Sequence, residues 1–182
     1  MKNRSSLLFL CLALAGLLWP PRSQAVLAVG AQAPDFTATA LLGGTRIEFN
    51  LARALKKGPV VLYFYPKAFA SECTIEAHAF SEAAAQFKAL GATVIGVSNN
   101  SVETLKLFSV TECRGKFAVA TDVQAQVMRR YDAVRDPASG VAERVSYVIS
   151  PQRRVLHAYA SPEADGHVDK ALAALKKWKR AR

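Results

Sequence analysis

Val60-Val61-Leu62-Tyr63-Phe64-Tyr65 is an unbroken run of β-branched, aliphatic and aromatic residues that stops at Pro66. With no polar alternation it suits a strand buried on both faces, and such strands belong to sheets covered by helices on each side. Working outward, apolar Ile75, Ala79, Phe80, Ala83, Ala84 and Phe87 recur at helical spacing between Thr74 and Leu90, and Gly91 ends that helix. Ala92–Ser98 is a second buried strand, Val102–Phe108 a short helix, Lys116–Ala120 a strand and Ala125–Tyr131 a helical stretch. Arg144–Ile149 and Val155–Tyr159 form a hairpin about Ser150-Pro151-Gln152, and Val168–Lys179 is an amphipathic closing helix. Upstream, Val29–Pro34 is an extended lead-in. Asp35–Ala40 and Thr45–Phe49 are strands on either side of Gly43-Gly44, and Lys56–Pro59 is a break.

Strand, helix, strand, helix, then a hairpin and a helix describe an α/β domain: a central mixed β-sheet flanked by helices. A thioredoxin-like fold fits that order; periodicity alone does not separate it from a flavodoxin-like sheet. The chain has 182 residues, 51% of them hydrophobic and 21% charged, which is enough for one domain with a proper core and excludes a disordered chain. Three cysteines and three histidines exclude a disulfide-stapled miniprotein and a zinc module.

Residues 1–25 read as a cleaved secretory signal peptide. Lys2 and Arg4 precede an apolar run from Leu7 to Trp19, and Ser23-Gln24-Ala25 puts small residues where a signal peptidase reads, making Val26 the first mature residue. The run of 13 residues is short of the roughly 20 that a membrane span requires, so no stable membrane anchor is expected. Cys11 lies in this run with no lipoprotein-like tripeptide before it. Residues 26–182 then form a single domain with two thiols, Cys73 and Cys113, in an exported space such as a bacterial periplasm, where disulfides persist. The formal net charge is +10, of which the signal carries +3.

Cys73 follows the buried strand by a short loop and lies at the opening of the long helix. Free amide N–H groups and the positive end of the helix dipole favour an anion there, and the thiolate is the nucleophilic form of cysteine. Glu76, three residues on, shares a helix face with Cys73 and is placed to orient a basic partner.

Tyr63 through Ala77, and within it Pro66, Cys73, Thr74 and Glu76, resembles the active-site loop of the peroxiredoxins, most closely the bacterioferritin-comigratory or Q-type subfamily. Gly30–Phe36, Val94–Ser98, Arg144–Ile149 and Gly166-His167 with the final helix extend the resemblance through residues 26–182. It implies a thiol-dependent peroxidase in which Cys73 is the peroxidatic cysteine, attacking a peroxide oxygen and becoming a sulfenic acid. Pro66 then shields that cysteine. Arg144 stabilises the thiolate and the leaving oxygen, a role suited to a planar, permanently charged donor, and Glu76 holds Arg144. The implied partners are hydrogen peroxide or small organic hydroperoxides and a thioredoxin-like or other dithiol reductant. No metal, flavin or haem cofactor is implied, and a monomer is expected.

Two positions depart from the family pattern. Ala70 stands where the family has Thr or Ser, so the hydroxyl that bonds thiolate and peroxide is missing, at a cost of about 1.5–3 kcal/mol, or about ten- to a hundredfold in rate. Many Q-type members place a resolving cysteine five residues after the peroxidatic one, and here that position is His78. Cys113, forty residues on, resembles an alternative resolving cysteine; without it the protein is a one-cysteine peroxidase.

Other chemistries are less well supported. A disulfide oxidoreductase needs a C-x-x-C pair that Cys73 lacks. His78, His157 and His167 read as surface or core residues with no hydrolase signature. The basic tail Lys176–Arg182 suits an anionic surface, but it also complements a helix dipole with no partner, and export argues against nucleic acid.

Overall fold

The computed structural model describes residues 26–136 and 138–182. The proposed signal segment, Cys11 included, lies outside them. Nine strands and six helices follow one another as β1 (Thr37–Leu42), β2 (Thr45–Asn50), α1 (Leu51–Leu55), β3 (Val60–Phe64), α2 (Ser71–Glu82), α3 (Ala84–Ala89), β4 (Thr93–Ser98), α4 (Val102–Thr111), β5 (Ala118–Thr121), α5 (Gln126–Arg130), β6 (Val134–Asp136), β7 (Val141–Ala142), β8 (Val145–Ile149), β9 (Val155–Ala160) and α6 (His167–Arg180) among the described residues.

Seven strands form one sheet in the order β2-β1-β5-β4-β3-β8-β9. β3 runs parallel to β4 and β4 to β5, whereas β8 is antiparallel to β3 and β9 to β8. The antiparallel β8–β9 edge excludes the flavodoxin-like alternative and gives the thioredoxin-like arrangement. β3, at the middle, is buried along its whole length, as its unbroken apolar run requires. Its side chains alternate between two cores. Val60, Leu62 and Phe64 pack with α1, α5 and Tyr131, while Val61, Tyr63 and Tyr65 pack with α2, α4 and α6.

Gly96 in β4 lies beside Tyr63, and a Cβ there would come within 2.7 Å of the phenol ring. The missing side chain lets Tyr63 lie flat and stack on Phe80 of α2 at 4.4 Å. That stack seats α2 on the sheet.

The long helix expected over Thr74–Leu90 is two helices. α2 begins earlier, at Ser71, and the chain turns at Ala83 before α3. Ala83-Ala84-Ala85 offers no polar contrast, so periodicity runs across the break while Phe80 and Phe87 stay in one core at 5.8 Å. Gly91, at φ +73, ends α3 with Ala92 N–H donating to Phe87 and Gly91 N–H to Lys88, the Schellman pattern expected of it. α1 and the β6–β7 ribbon were not anticipated. α1 is a five-residue helix capped by Asn50, whose side chain accepts from Arg53 N–H at 2.8 Å.

Candidate active site

Four elements converge on one buried cluster at the end of β3. The chain leaves the strand at Tyr65, passes half-buried Pro66, and enters α2 after a loop of residues 67–70. Asn100 fastens that loop by accepting from Ala68 N–H at 2.9 Å. Phe69 holds a left-handed φ of +66 and sets its ring edge-on against Phe108 of α4 at 5.2 Å.

Ala70 is the N-cap of α2, with extended backbone and no side-chain cap. Cys73 is therefore the third residue of the helix rather than its opening residue. Thr74 N–H already bonds to the Ala70 carbonyl at 2.9 Å, and the amides before it are the free ones at the positive end of the dipole. Ser71, the other hydroxyl nearby, is an exposed helical residue.

Arg144 comes from across the sheet. The register of β3 against β8 sets Val145 opposite Phe64, so Arg144 arrives level with Tyr65, where the chain turns toward Cys73. The arginine is 3% exposed, and each of its three nitrogens donates to a different partner. Its Nη2 donates to Cys73 Sγ at 3.5 Å, its Nη1 to Glu76 Oε2, and its Nε to the Pro162 carbonyl at 3.0 Å. Cys73 is 2% exposed and Glu76 is 0% exposed. Burial pushes the Glu76 carboxyl up to about 8, with the Arg144 charge pulling against it. A permanently charged guanidinium held 3.5 Å from a sulfur at a helix N-terminus stabilises a thiolate and, beside it, negative charge developing on an oxygen.

Of the residues expected from the sequence, Cys73, Glu76 and Arg144 are brought together. Pro66 stands at the mouth of the loop and adds no hydrogen bond to the cluster. Cys113 is apart. It follows α4, is fully buried and is joined to neither cysteine partner nor solvent; Cys73 and Cys113 are both free thiols. Burial raises the Cys113 thiol far above its ordinary value. Ser81 Oγ donates to the Cys113 carbonyl at 2.9 Å, and His78 pairs with Glu112 at 2.7 Å. Ser81 lies eight residues beyond Cys73 along α2, about 12 Å of helix axis.

His167 and Ser146 were not anticipated in the site. The first residue of α6, His167 is fully buried, with Nδ1 2.6 Å from Ser146 Oγ and 3.7 Å from Glu76 Oε1. The signal available was the Gly166-His167 pair opening an amphipathic helix; nothing in spacing ties it to a carboxylate 91 residues earlier.

The AhpC/TSA family matches residues 29–158 of this chain. Peroxiredoxin Bcp of Xanthomonas campestris is 31% identical over 142 residues, covering 75% of this chain and 86% of that protein. Alkyl hydroperoxide reductase C of Helicobacter pylori is 32% identical over 134 residues, covering 69% and 67%. The crystal structure of peroxidoxin BcpB from Mycobacterium tuberculosis superposes with a TM-score of 0.74 at 31% identity, covering 82% of this chain and 96% of that one. A buried Cys73–Glu76–Arg144 cluster on a thioredoxin-like sheet and these likenesses coincide: the chain belongs to the AhpC/TSA family of peroxiredoxins, on its Q-type or Bcp side, and is a peroxidase oxidoreductase.

Proposed function

We propose that this peroxiredoxin reduces hydrogen peroxide or small organic hydroperoxides through Cys73. The observation that carries the reading is the contact of Arg144 Nη2 with Cys73 Sγ inside a site closed to solvent. The Cys73 thiolate attacks the outer peroxide oxygen and becomes a sulfenic acid, while Arg144 stabilises the departing oxyanion, Glu76 holds Arg144 and Pro66 limits access of water. The sulfenic acid then condenses with Cys113 to an intramolecular disulfide, and an external dithiol of the thioredoxin kind reduces it.

Cys73 and Cys113 share one core cluster on the α2 side of the sheet, which supports their pairing. A disulfide needs Cα atoms within about 4.4–6.8 Å, so the first turns of α2 and the segment after α4 must open to let them meet. Export to a periplasm-like space, cleavage before Val26 and a monomeric state belong to the same proposal.

The test is intact mass after one equivalent of hydrogen peroxide is added to reduced protein beginning at Val26. The expected product has lost two hydrogens, and Cys113→Ser instead gains one oxygen. If the wild type also gains oxygen and forms no disulfide, the resolving role of Cys113 is wrong and the protein is a one-cysteine peroxidase.

A further inference from the structure

From Lys170 to Arg182 the chain carries six basic side chains and no acidic one. At 3.6 residues per turn, Lys170, Lys176, Lys177 and Arg180 share an arc of roughly 120° on α6, away from buried Ala171, Leu172 and Leu175. All four are exposed. Among the described residues, no carboxylate pairs with any lysine or arginine of this stretch. The helix dipole accounts for part of the pattern, since Lys177, Lys179 and Arg180 lie in the last turn. Its negative end amounts to roughly half a unit charge, however, which one cation satisfies. Lys170 stands in the first turn, at the positive end, where the dipole disfavours it.

The cations border an apolar groove. β9 is an edge strand of the seven-stranded sheet, and between its Leu156 and the flank of α6 runs a groove of about 430 Å³. Ala173, Ala174, Ala181 and Trp178 line it, and the exposed Lys170 and Lys177 stand at its rim. Trp178 is half-buried, with the Arg182 guanidinium 4.8 Å over its ring, and Lys170 Nζ lies 4.6 Å over the ring of Tyr159. Aromatic faces thus hold two of the cations at the surface without cancelling their charge. A tryptophan between apolar groups and hydrated cations is suited to the boundary of lipid headgroups and acyl chains. The apolar side of α6 is already packed on β8 and β9, so the cationic side and the groove are what a partner would meet.

We propose that the cationic face of α6, together with the groove beside β9, docks this protein reversibly on a bilayer surface rich in anionic phospholipid. The lysines and arginines meet the phosphate oxygens of the headgroups, and Trp178 and the groove take the apolar atoms just beneath them. The contact is peripheral: no helix among the described residues is long and apolar enough to cross a membrane. A nucleic acid would satisfy the cations but has no aliphatic part to fill a groove of leucine and alanine, and a phospholipid has both. The inference is independent of the peroxide chemistry of Cys73.

Protein beginning at Val26 has Trp178 as its one tryptophan, so its fluorescence reports on this face. Vesicles of phosphatidylglycerol and phosphatidylcholine should sediment the protein and shift the Trp178 emission to the blue. Vesicles of phosphatidylcholine alone should do neither, and raising the salt to about 0.5 M should reverse both effects. Each cation near an anionic surface contributes about fivefold to affinity, so Lys177→Gln combined with Arg180→Gln should bind about twenty-five-fold more weakly, and Lys177→Arg as wild type does. Thermal melts verify that each variant is folded. Failure to sediment, sedimentation without the blue shift, equal binding to neutral vesicles, or undiminished binding by the double variant overturns the proposal. So does a single-stranded oligonucleotide that shifts Trp178 where anionic vesicles do not, which would make the face a nucleic-acid site. Cys73→Ser should bind vesicles as wild type does, so a protein that docks yet fails to react with peroxide leaves the docking face standing and overturns the peroxidase reading instead.

Discussion

Arg144 divides one guanidinium among Cys73, Glu76 and the Pro162 carbonyl, and each donor is fixed in direction by the other two. A lysine at this position brings a single charge on a flexible stem and cannot reach three acceptors in a plane. Arg144→Lys should therefore slow Cys73 oxidation by about ten- to a hundredfold, the value of one hydrogen bond to a charged group, and lower the unfolding midpoint as well, because buried Glu76 and the Pro162 carbonyl lose donors. Stopped-flow oxidation of the reduced variant checks it; a rate equal to wild type would mean that Arg144 does not act on the sulfur. The cluster of Cys73, Glu76 and Arg144 was legible as a grouping because the loop and helix around Cys73 and the arginine-led strand carry a recognisable pattern. His167 was not, because its partner oxygen is reached through the packing of α6 against β8, and no local spacing encodes that contact.

At the scale of the elements, α2 is held at both ends in opposite ways. Its start lacks a capping side chain at Ala70, while its far half is latched to the Cys113 segment through Ser81 and the His78–Glu112 pair. Both features bear on the opening that the proposed Cys73–Cys113 disulfide requires, and two substitutions should move it in opposite directions. Ala70→Thr supplies a cap worth about 1 kcal/mol, so the disulfide should form about fivefold more slowly even as the first oxidation gains a hydroxyl and speeds up. Ser81→Ala removes a buried donor from the Cys113 carbonyl, loosens the latch by about 1 kcal/mol and should hasten the disulfide. Mass-quenched time courses separate the two steps; equal disulfide rates in both variants would show that opening does not limit resolution. The boundaries of α2 illustrate what a sequence conceals. Ala70 carries no capping side chain to announce a helix start, and the alanine run at 83–85 hides the turn before α3.

For the whole molecule, the sheet brings distant residues together. Parallel β3–β4–β5 follows from buried apolar runs alternating with helices, and this much was readable. The insertion of β8 beside β3, which carries Arg144 to Cys73, is a long-range pairing that alternation alone leaves open. Packing α6 across β8 then buries His167, and stability should report the cost. Burial lowers this imidazole from 6.5 to about 4, so the folded state refuses a proton that the unfolded chain takes. Its contribution is present above about 6.5 and is lost as pH falls toward 4, by at most about 3 kcal/mol. Denaturant unfolding at the two ends of that window should show a larger acid loss in wild type than in His167→Asn; equal losses would contradict the assignment. The central claim is that Cys73 is the sulfur that meets peroxide, and its most direct measurement is the stopped-flow rate of reduced protein with one equivalent of hydrogen peroxide, beside Cys73→Ser and Cys113→Ser. The account predicts a reaction orders of magnitude faster than that of a free cysteine, kept in Cys113→Ser and abolished in Cys73→Ser. A wild-type rate no faster than a free thiol, or one that survives in Cys73→Ser, would contradict it.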